Sequence, residues 1–559
     1  MARRWLFLAM LLGGAVALRA NPVTLPAGFI EENVGSLWTE PVGVAFDPDP
    51  AAANRVYMWE RAGRVWVLIN NLNSWVPVLD IRDEVGAWND YGMLGFALDP
   101  DFQKNGYIYV SYVVDHYHLL HASDPDYDAT KNEYYRATIG RVTRYKVNPA
   151  SATPQADPAS RKVLIGETIG TGIPIASTTH GTGALAFGSD GTLLVSCGEG
   201  AGWDGTDDGG ADNVSTAPQA LAEGIIRSKE DVGAFRAQMV DSLSGKVLRI
   251  DPATGDGIPS NPFYDAQDPR AAHSRVWALG LRNPYRMTVR PDTGSHLPAD
   301  ANPGVIVLGD VGWETWEEVN VIDGPAQNCG WPLFEGLKAT TGYPDSPAVN
   351  LDAPNPLGGY FRFGDLIVQE TLGTPSWPNP KNTAQQVPAS IPHFMHHRPV
   401  IDMGRDLNVN GPVRVGTFNG NAASETLVGA PGSPAAGSQF LANTSTGGVF
   451  YRGTDFPAEY QGAYFHADYG QGWIKAMVFD DHYRVTKVID FATGGHPCFV
   501  GSNPHTGGIY YVDMTIPVVK RITYAPGGNK LPEAVAKASR NIGASPLAVT
   551  FSSAGSKDP

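Results

Sequence analysis

Six stretches of this chain repeat one pattern, and no other feature limits the fold as strongly. A glycine or proline opens a run of alternating apolar residues, and a second β-rich run follows, in the first three after an Asp-Pro or Asp-Gly turn. The first is Pro41-Val42-Gly43-Val44-Ala45-Phe46-Asp47-Pro48, then Arg55 to Trp59. The second is Gly92 to Pro100, then Gly106 to Val110, and the third is Gly183 to Gly191, then Leu193 to Ser196. The fourth, Asn283 to Val289 then Gly304 to Leu308, lacks the tight turn. Thr446 to Gly453 with Gly462 to Asp468, and Cys498 to Val500 with Gly508 to Asp513, complete the set. Strand, turn and strand at long, uneven intervals predict an all-β fold, a six-bladed β-propeller. Such a fold has a central channel where loops from every blade meet, and chemistry is expected there.

The 559 residues suffice for one large β domain and a smaller module. With 64 glycines, 44 prolines and 18% charged residues, the composition suits short strands joined by elaborate loops. The best helical stretch runs from Thr216 to Met239. Residues 1–20 read as a secretory signal: Arg3 and Arg4 precede an apolar Leu6 to Leu12, then small residues at Ala15, Ala17 and Ala20. That run is too short to span a bilayer, so a periplasmic or secreted location is expected. Cys197, Cys329 and Cys498 allow one disulfide in an exported chain. A net charge of −16 argues against nucleic acid, and it requires any anionic ligand to be met by locally concentrated positive charge.

Residues 22–524 read as one propeller, interrupted by long insertions near 115–133, 200–241 and 336–434, which loops of that length make functional rims. Residues 525–532 look like a linker. Residues 533–559 resemble the opening of a PKD-type immunoglobulin-like module. Two strands cannot bury a core, so the chain is expected to continue in a longer protein.

Among chemically able residues, His180 immediately precedes the third repeat, where its imidazole can accept a proton near neutral pH. Taken alone, it reads more readily as a loop histidine bonded to a carbonyl. Arg282 and Asn283 open the fourth repeat before Pro284; the arginine offers a planar fork of donors, and its plain alternative is a surface charge. Asp310 to Asn320 combines carboxylates, including Glu317, with a Gly312-Trp313 turn, which together present the hard oxygen ligands that calcium prefers. The histidine groups 116/118/121 and 393/396/397 have loosely metal-like spacing without a carboxylate geometry to match. Asp204, Asp207, Asp208 and Asp212, whose spacing misses the EF-hand pattern, read more readily as a solvated loop than as a calcium site. Gly181 to Ala186 matches a dinucleotide motif as a string but leads into a strand, so no helix N-terminus awaits a pyrophosphate.

Further stretches make the order of motifs specific: Gly92-Met93-Leu94-Gly95-Phe96-Ala97, Gly245 to Ile250, Leu279-Gly280-Leu281-Arg282-Asn283-Pro284 and Asn328-Cys329-Gly330-Trp331-Pro332. Together they resemble the soluble glucose/sorbosone dehydrogenases, six-bladed propellers that use pyrroloquinoline quinone (PQQ) and calcium. The resemblance implies that His180 is the general base and that Arg282 and Asn283 contact the quinone. It puts Arg452 against a cofactor carboxylate, and the Gly312 and Trp313 carbonyls on calcium. Asp90 stands where glucose dehydrogenases usually carry a glutamine, Val311 replaces a polar side chain, and Asp468 to Gly472 lacks the family's basic residues.

The expected activity is oxidation of an aldose or related sugar at its anomeric carbon to a lactone, with electrons passed to an external cytochrome or quinone. A non-catalytic glycan- or protein-binding propeller is an alternative, and a calcium-dependent lactonase a weaker one.

Overall fold

The computed structural model describes residues 23–527 apart from 36–37, 53–54, 70–74, 212–213 and 406–411, and also 537–538 and 549–554. The expected signal segment lies outside the described residues, as does most of the expected C-terminal module. Of the latter, Lys537–Ala538 pairs antiparallel with Phe551–Ser552.

Each repeat forms the two innermost strands of one antiparallel sheet, and six such sheets close into a propeller. The innermost strands are Pro41–Phe46, Met93–Leu98, Thr182–Phe187, Pro284–Val289, Ser445–Phe450 and Pro497–Asn503. Glycines recur in them because neighbouring blades come close. A side chain at Gly95 would strike the Gly183 carbonyl, and one at Gly447 the backbone of Arg286. These approaches join matched positions, so the inner strands all begin at the same mouth of the channel. The second strands are shielded on both faces; Leu193–Cys197 and Ile306–Asp310 are buried throughout, the continuous burial that sheet-on-sheet packing demands.

The sixth blade is completed by the N-terminal strand Phe29–Asn33, which pairs with Val518–Tyr524. That pairing joins the two ends of the domain. Phe29 stands edge-on to Phe456, Tyr460 and Phe491, with ring centroids 4.8, 5.4 and 5.0 Å away.

The insertions differ in kind. The expected helix over 216–239 is only Ala217–Ala222, followed by 3-10 turns, because Gly224 takes a left-handed conformation (φ 73°) just beyond its end. The 336–434 insertion adds strands Val413–Asn419 and Ala422–Leu427 to the outer edge of the fourth blade. All three cysteines are buried and free; the possible disulfide does not form. Among the described residues no helix is long and apolar enough to cross a membrane.

Along the channel, Arg286 reaches across from the fourth blade to the carbonyls of Leu94 and Val42, both at 2.8 Å. A cavity of about 240 Å³ surrounds it, lined by Val44, Leu94, Ala184, Gly448 and Val500 among others. None of the expected site residues lines this cavity; all but Arg452 gather where the inner strands begin.

Candidate active site

His180 sits two residues before its inner strand in a left-handed conformation (φ 62°), unusual for a side chain other than glycine and costing about 1–3 kcal/mol. The surroundings hold it there. Its N–H donates to Asp90 Oδ2 at 3.0 Å, and its carbonyl accepts from Gly200 N at 3.0 Å. Imidazole Nδ1 lies 2.8 Å from Glu199 Oε1. Glu199 is fully buried at the end of the second strand of the same blade. Arg236 fixes that loop by donating to the Glu199 and Gly200 carbonyls at 3.2 and 2.8 Å.

Burial decides the electrostatics of this pair. It holds the His180 imidazole well below its ordinary value, helped by the nearby Arg282 guanidinium and opposed by Asp90. Burial pushes the Glu199 carboxyl up to about 8, against the pull of Arg282 and Arg236. Asp90 is also raised by burial, with the His180 charge opposing.

The proton therefore has two arrangements. With Glu199 ionised, Nδ1–H donates to it and Nε2 keeps a lone pair, which is a base. With Glu199 protonated, its O–H donates to Nδ1 and Nε2 carries the hydrogen, which is no base.

Arg282 enters from the fourth blade. Its carbonyl accepts from Glu199 N at 2.9 Å, tying the two blades together. Asp310, at the end of the neighbouring strand, accepts from the N–H groups of Arg282 and Asn283 at 2.9 and 2.6 Å. That carboxylate, raised by its burial, fixes the loop that Pro284 stiffens. The Arg282 guanidinium lies 5.3 Å from the centre of the Trp331 ring. It donates through Nη1 to the carbonyls of Val311 and Gly312 at 2.9 and 2.7 Å.

The Gly312 turn has its own scaffold. One oxygen of Glu335 accepts from four consecutive backbone N–H groups, Trp313 to Trp316, at 2.7 to 3.2 Å. With the amides gathered on that side, the Gly312 and Trp313 carbonyls face Arg405. A Cβ on residue 312 would collide with the Trp316 carbonyl, so only glycine fits.

Three groups expected around calcium are thus paired with cations of the chain itself. Arg405 donates to Trp313 O at 2.5 Å, to Gly312 O at 2.7 Å and to Glu317 Oε1 at 2.7 Å. Glu317 Oε2 accepts from Gly312 N at 3.1 Å and from Ser445 N, in the fifth blade, at 2.7 Å.

The structure brings together His180, Asp90, Arg282, Asn283, Gly312, Trp313 and Glu317. It does not bring Arg452 to them. Arg452 follows the end of Ser445–Phe450 and is exposed, whereas the site residues precede the starts of the inner strands, so it stands at the other end of the channel. Asp468, in the stretch without basic residues, accepts from the N–H groups of Asn443, Thr444 and Gln471 at 2.9, 2.8 and 2.7 Å. It shapes backbone there. The histidine groups and the Asp204 loop gather no metal ligands: among the described residues no three or more His, Cys, Asp or Glu side chains are placed to share an ion.

Sequence reasoning missed Glu199 and Arg405. Gly198-Glu199-Gly200, directly after a mostly apolar strand, was a usable signal for the first. Nothing local marks Arg405. Several polar atoms in this region are buried without a partner: Asp90 Oδ1, Thr179 Oγ1, Glu199 Oε2 and Arg282 Nε. Orphaned donors and acceptors gathered at one channel mouth are what a ligand site leaves exposed to its ligand.

Among curated proteins, HIPL2 of Arabidopsis thaliana is 26% identical over 341 residues, covering 56% of this chain and 44% of the relative. Quinoprotein glucose dehydrogenase B of Acinetobacter calcoaceticus is 24% identical, covering 54% and 52%. The aldose sugar dehydrogenase YliI of Escherichia coli strain K12 is 25% identical, covering 60% and 68%. The chain spans about half the length of the first two. Among solved structures, a glucose dehydrogenase superposes with a TM-score of 0.51 at 17% identity, covering 88% of this chain and 99% of the other. The apo soluble aldose sugar dehydrogenase of Escherichia coli gives 0.50 at 16%, covering 89% and 99%; both show likeness of fold. The glucose/sorbosone dehydrogenase family model matches residues 38–350. With that match spanning more than half of its length, the chain belongs to the glucose/sorbosone dehydrogenase family.

Proposed function

We propose that this propeller oxidises an aldose or related sugar at its anomeric carbon to the lactone, with PQQ as cofactor and an external cytochrome or quinone as final acceptor. The observation that carries this is the His180–Glu199 pair held beside the Arg282 guanidinium at one channel mouth.

The donor set suits a planar, carbonyl-rich cofactor. Arg282 Nε is a buried donor without a partner, the Asn283 amide leaves the same loop, and the Trp331 ring flanks the guanidinium. Bound there, PQQ supplies the two-electron acceptor that no side chain of this chain can provide. Calcium fits less well, because its expected carbonyls and Glu317 are held by Arg405 and Arg282.

The chain's own part is to move a proton and stabilise charge. With Glu199 ionised, His180 Nε2 takes the proton of the anomeric hydroxyl while the C–H electron pair leaves with its hydrogen. Glu199 stabilises the resulting imidazolium and keeps the ring oriented, the part played by the carboxylate of a catalytic triad. Arg282 places positive charge where negative charge develops on an acceptor oxygen, and its burial strengthens that effect.

The test is purified protein supplied with PQQ and assayed for aldose-dependent dye reduction. His180→Ala should abolish reduction while quinone binding, followed separately by absorbance, persists. Normal turnover in that variant would remove the base assignment. A non-catalytic glycan- or protein-binding propeller is the second reading, favoured by the acidic Asp90 and by the absence of basic residues from Asp468 to Gly472. Absence of stoichiometric PQQ binding would favour it. Export to the periplasm or beyond is proposed from the N-terminal segment.

A further inference from the structure

We propose that the Arg405 guanidinium is a built-in cation standing in for the divalent metal at the Gly312–Trp313 turn, so that this site binds its ligand on two arginines without calcium. The proposal rests on the reading of this mouth as the cofactor site only for its functional consequence. The pairing itself is a matter of geometry.

Calcium requires six to eight oxygen ligands at about 2.3–2.6 Å. Here the capacity of those oxygens is already used. Gly312 O accepts from Arg405 and Arg282, both at 2.7 Å, which fills its two lone pairs. Trp313 O accepts from Arg405 at 2.5 Å. The Glu317 carboxylate accepts from two nitrogens of Arg405 on one oxygen and from Gly312 N and Ser445 N on the other. These four contacts account for the acceptor positions of a carboxylate.

Charge points the same way. Glu317 is wholly buried, and a buried carboxylate demands a cation. Arg405 supplies it from within the chain, as a planar fork that stays protonated at any accessible pH. A divalent ion at the same oxygens would meet the guanidinium both in space and as a like charge. Two guanidiniums also converge on Gly312 O, and Arg282 Nε remains a free buried donor. Such a pair favours an anionic or carbonyl-bearing ligand placed between them.

Removing Arg405 would free the Trp313 carbonyl, one acceptor position of the Gly312 carbonyl and one oxygen of Glu317, which is a nascent calcium site. The test counts metal on the full-length protein after dialysis against EGTA, by equilibrium dialysis with calcium and by tryptophan-sensitised terbium emission. Arg405→Ala should take up one more calcium per chain than the unmodified protein and gain a calcium-dependent rise in Tm. Arg405→Lys, which keeps the charge, should behave as the unmodified protein does. Equal calcium counts in the unmodified protein and Arg405→Ala would overturn the proposal. Should Arg405→Ala not fold, the unmodified protein decides alone. Calcium-displaceable terbium emission that disappears in Trp313→Phe would overturn the proposal, and no such emission would support it. Metal is counted without turnover, so a failure of the dehydrogenase reading leaves this result unchanged.

Discussion

Glu199→Gln separates the two proton arrangements of the His180 pair. In the unmodified protein the productive state needs Glu199 ionised, and burial holds that carboxyl at about 8. Roughly a tenth of the molecules are then competent at pH 7 and about nine-tenths at pH 9. The rate of sugar oxidation under saturating cofactor should therefore rise about tenfold across that interval. Glutamine can still accept from Nδ1–H through its carbonyl oxygen, so Nε2 remains the acceptor, but nothing near 8 remains to titrate. The variant should be slower at pH 9, by at most the about 10²–10⁴ that a positioned base contributes, and its rate should be flat from pH 7 to 9. The assay is dye reduction at several pH values with the dye's own response subtracted. A tenfold step that persists in Glu199→Gln, or a flat profile in the unmodified protein, would refute the reasoning. Stability supplies an independent readout. A carboxyl whose folded pKa is raised loses stability as pH climbs from its ordinary 4.5 to about 8. Tm should fall over that window in the unmodified protein more than in the variant.

Phe29→Ala should cost about 3–5 kcal/mol, because the ring is buried against Phe456, Tyr460 and Phe491 in the strand that joins the chain ends. Denaturant unfolding measures this, and a loss below about 1 kcal/mol would show that the closure contributes little. Gly312→Ala should destabilise by about 1–3 kcal/mol, since the added methyl meets the Trp316 carbonyl, part of the backbone. An unchanged Tm would mean that the turn relaxes freely.

The propeller was legible in the chain because its repeats are local. Each is two strands consecutive in the chain, and burial on both faces writes itself into mostly apolar runs such as Leu193–Cys197. Strand Phe29–Asn33 was not legible as part of the sixth blade. Its partner Val518–Tyr524 lies at the far end of the domain, and no periodicity announces a pairing over that distance. The helix expected over 216–239 failed for the opposite reason: glycines that read as ordinary loop residues stop it after a turn and a half.

The site divides the same way. The sequence by itself determined the six blades and the loops that carry His180, Arg282, Asn283 and the Gly312 turn, since each of these residues lies within a few positions of a repeat. Only the tertiary structure decided which groups answer them. Glu199 pairs with a histidine 19 residues away, and Arg405 with a glutamate 88 residues away. It also decided that Arg452, one residue past the Tyr451 that follows its strand, belongs to the other end of the channel. The physical reason is that strand propensity and burial act between neighbours in the chain, whereas the pairing of buried charges depends on closing a ring of six sheets.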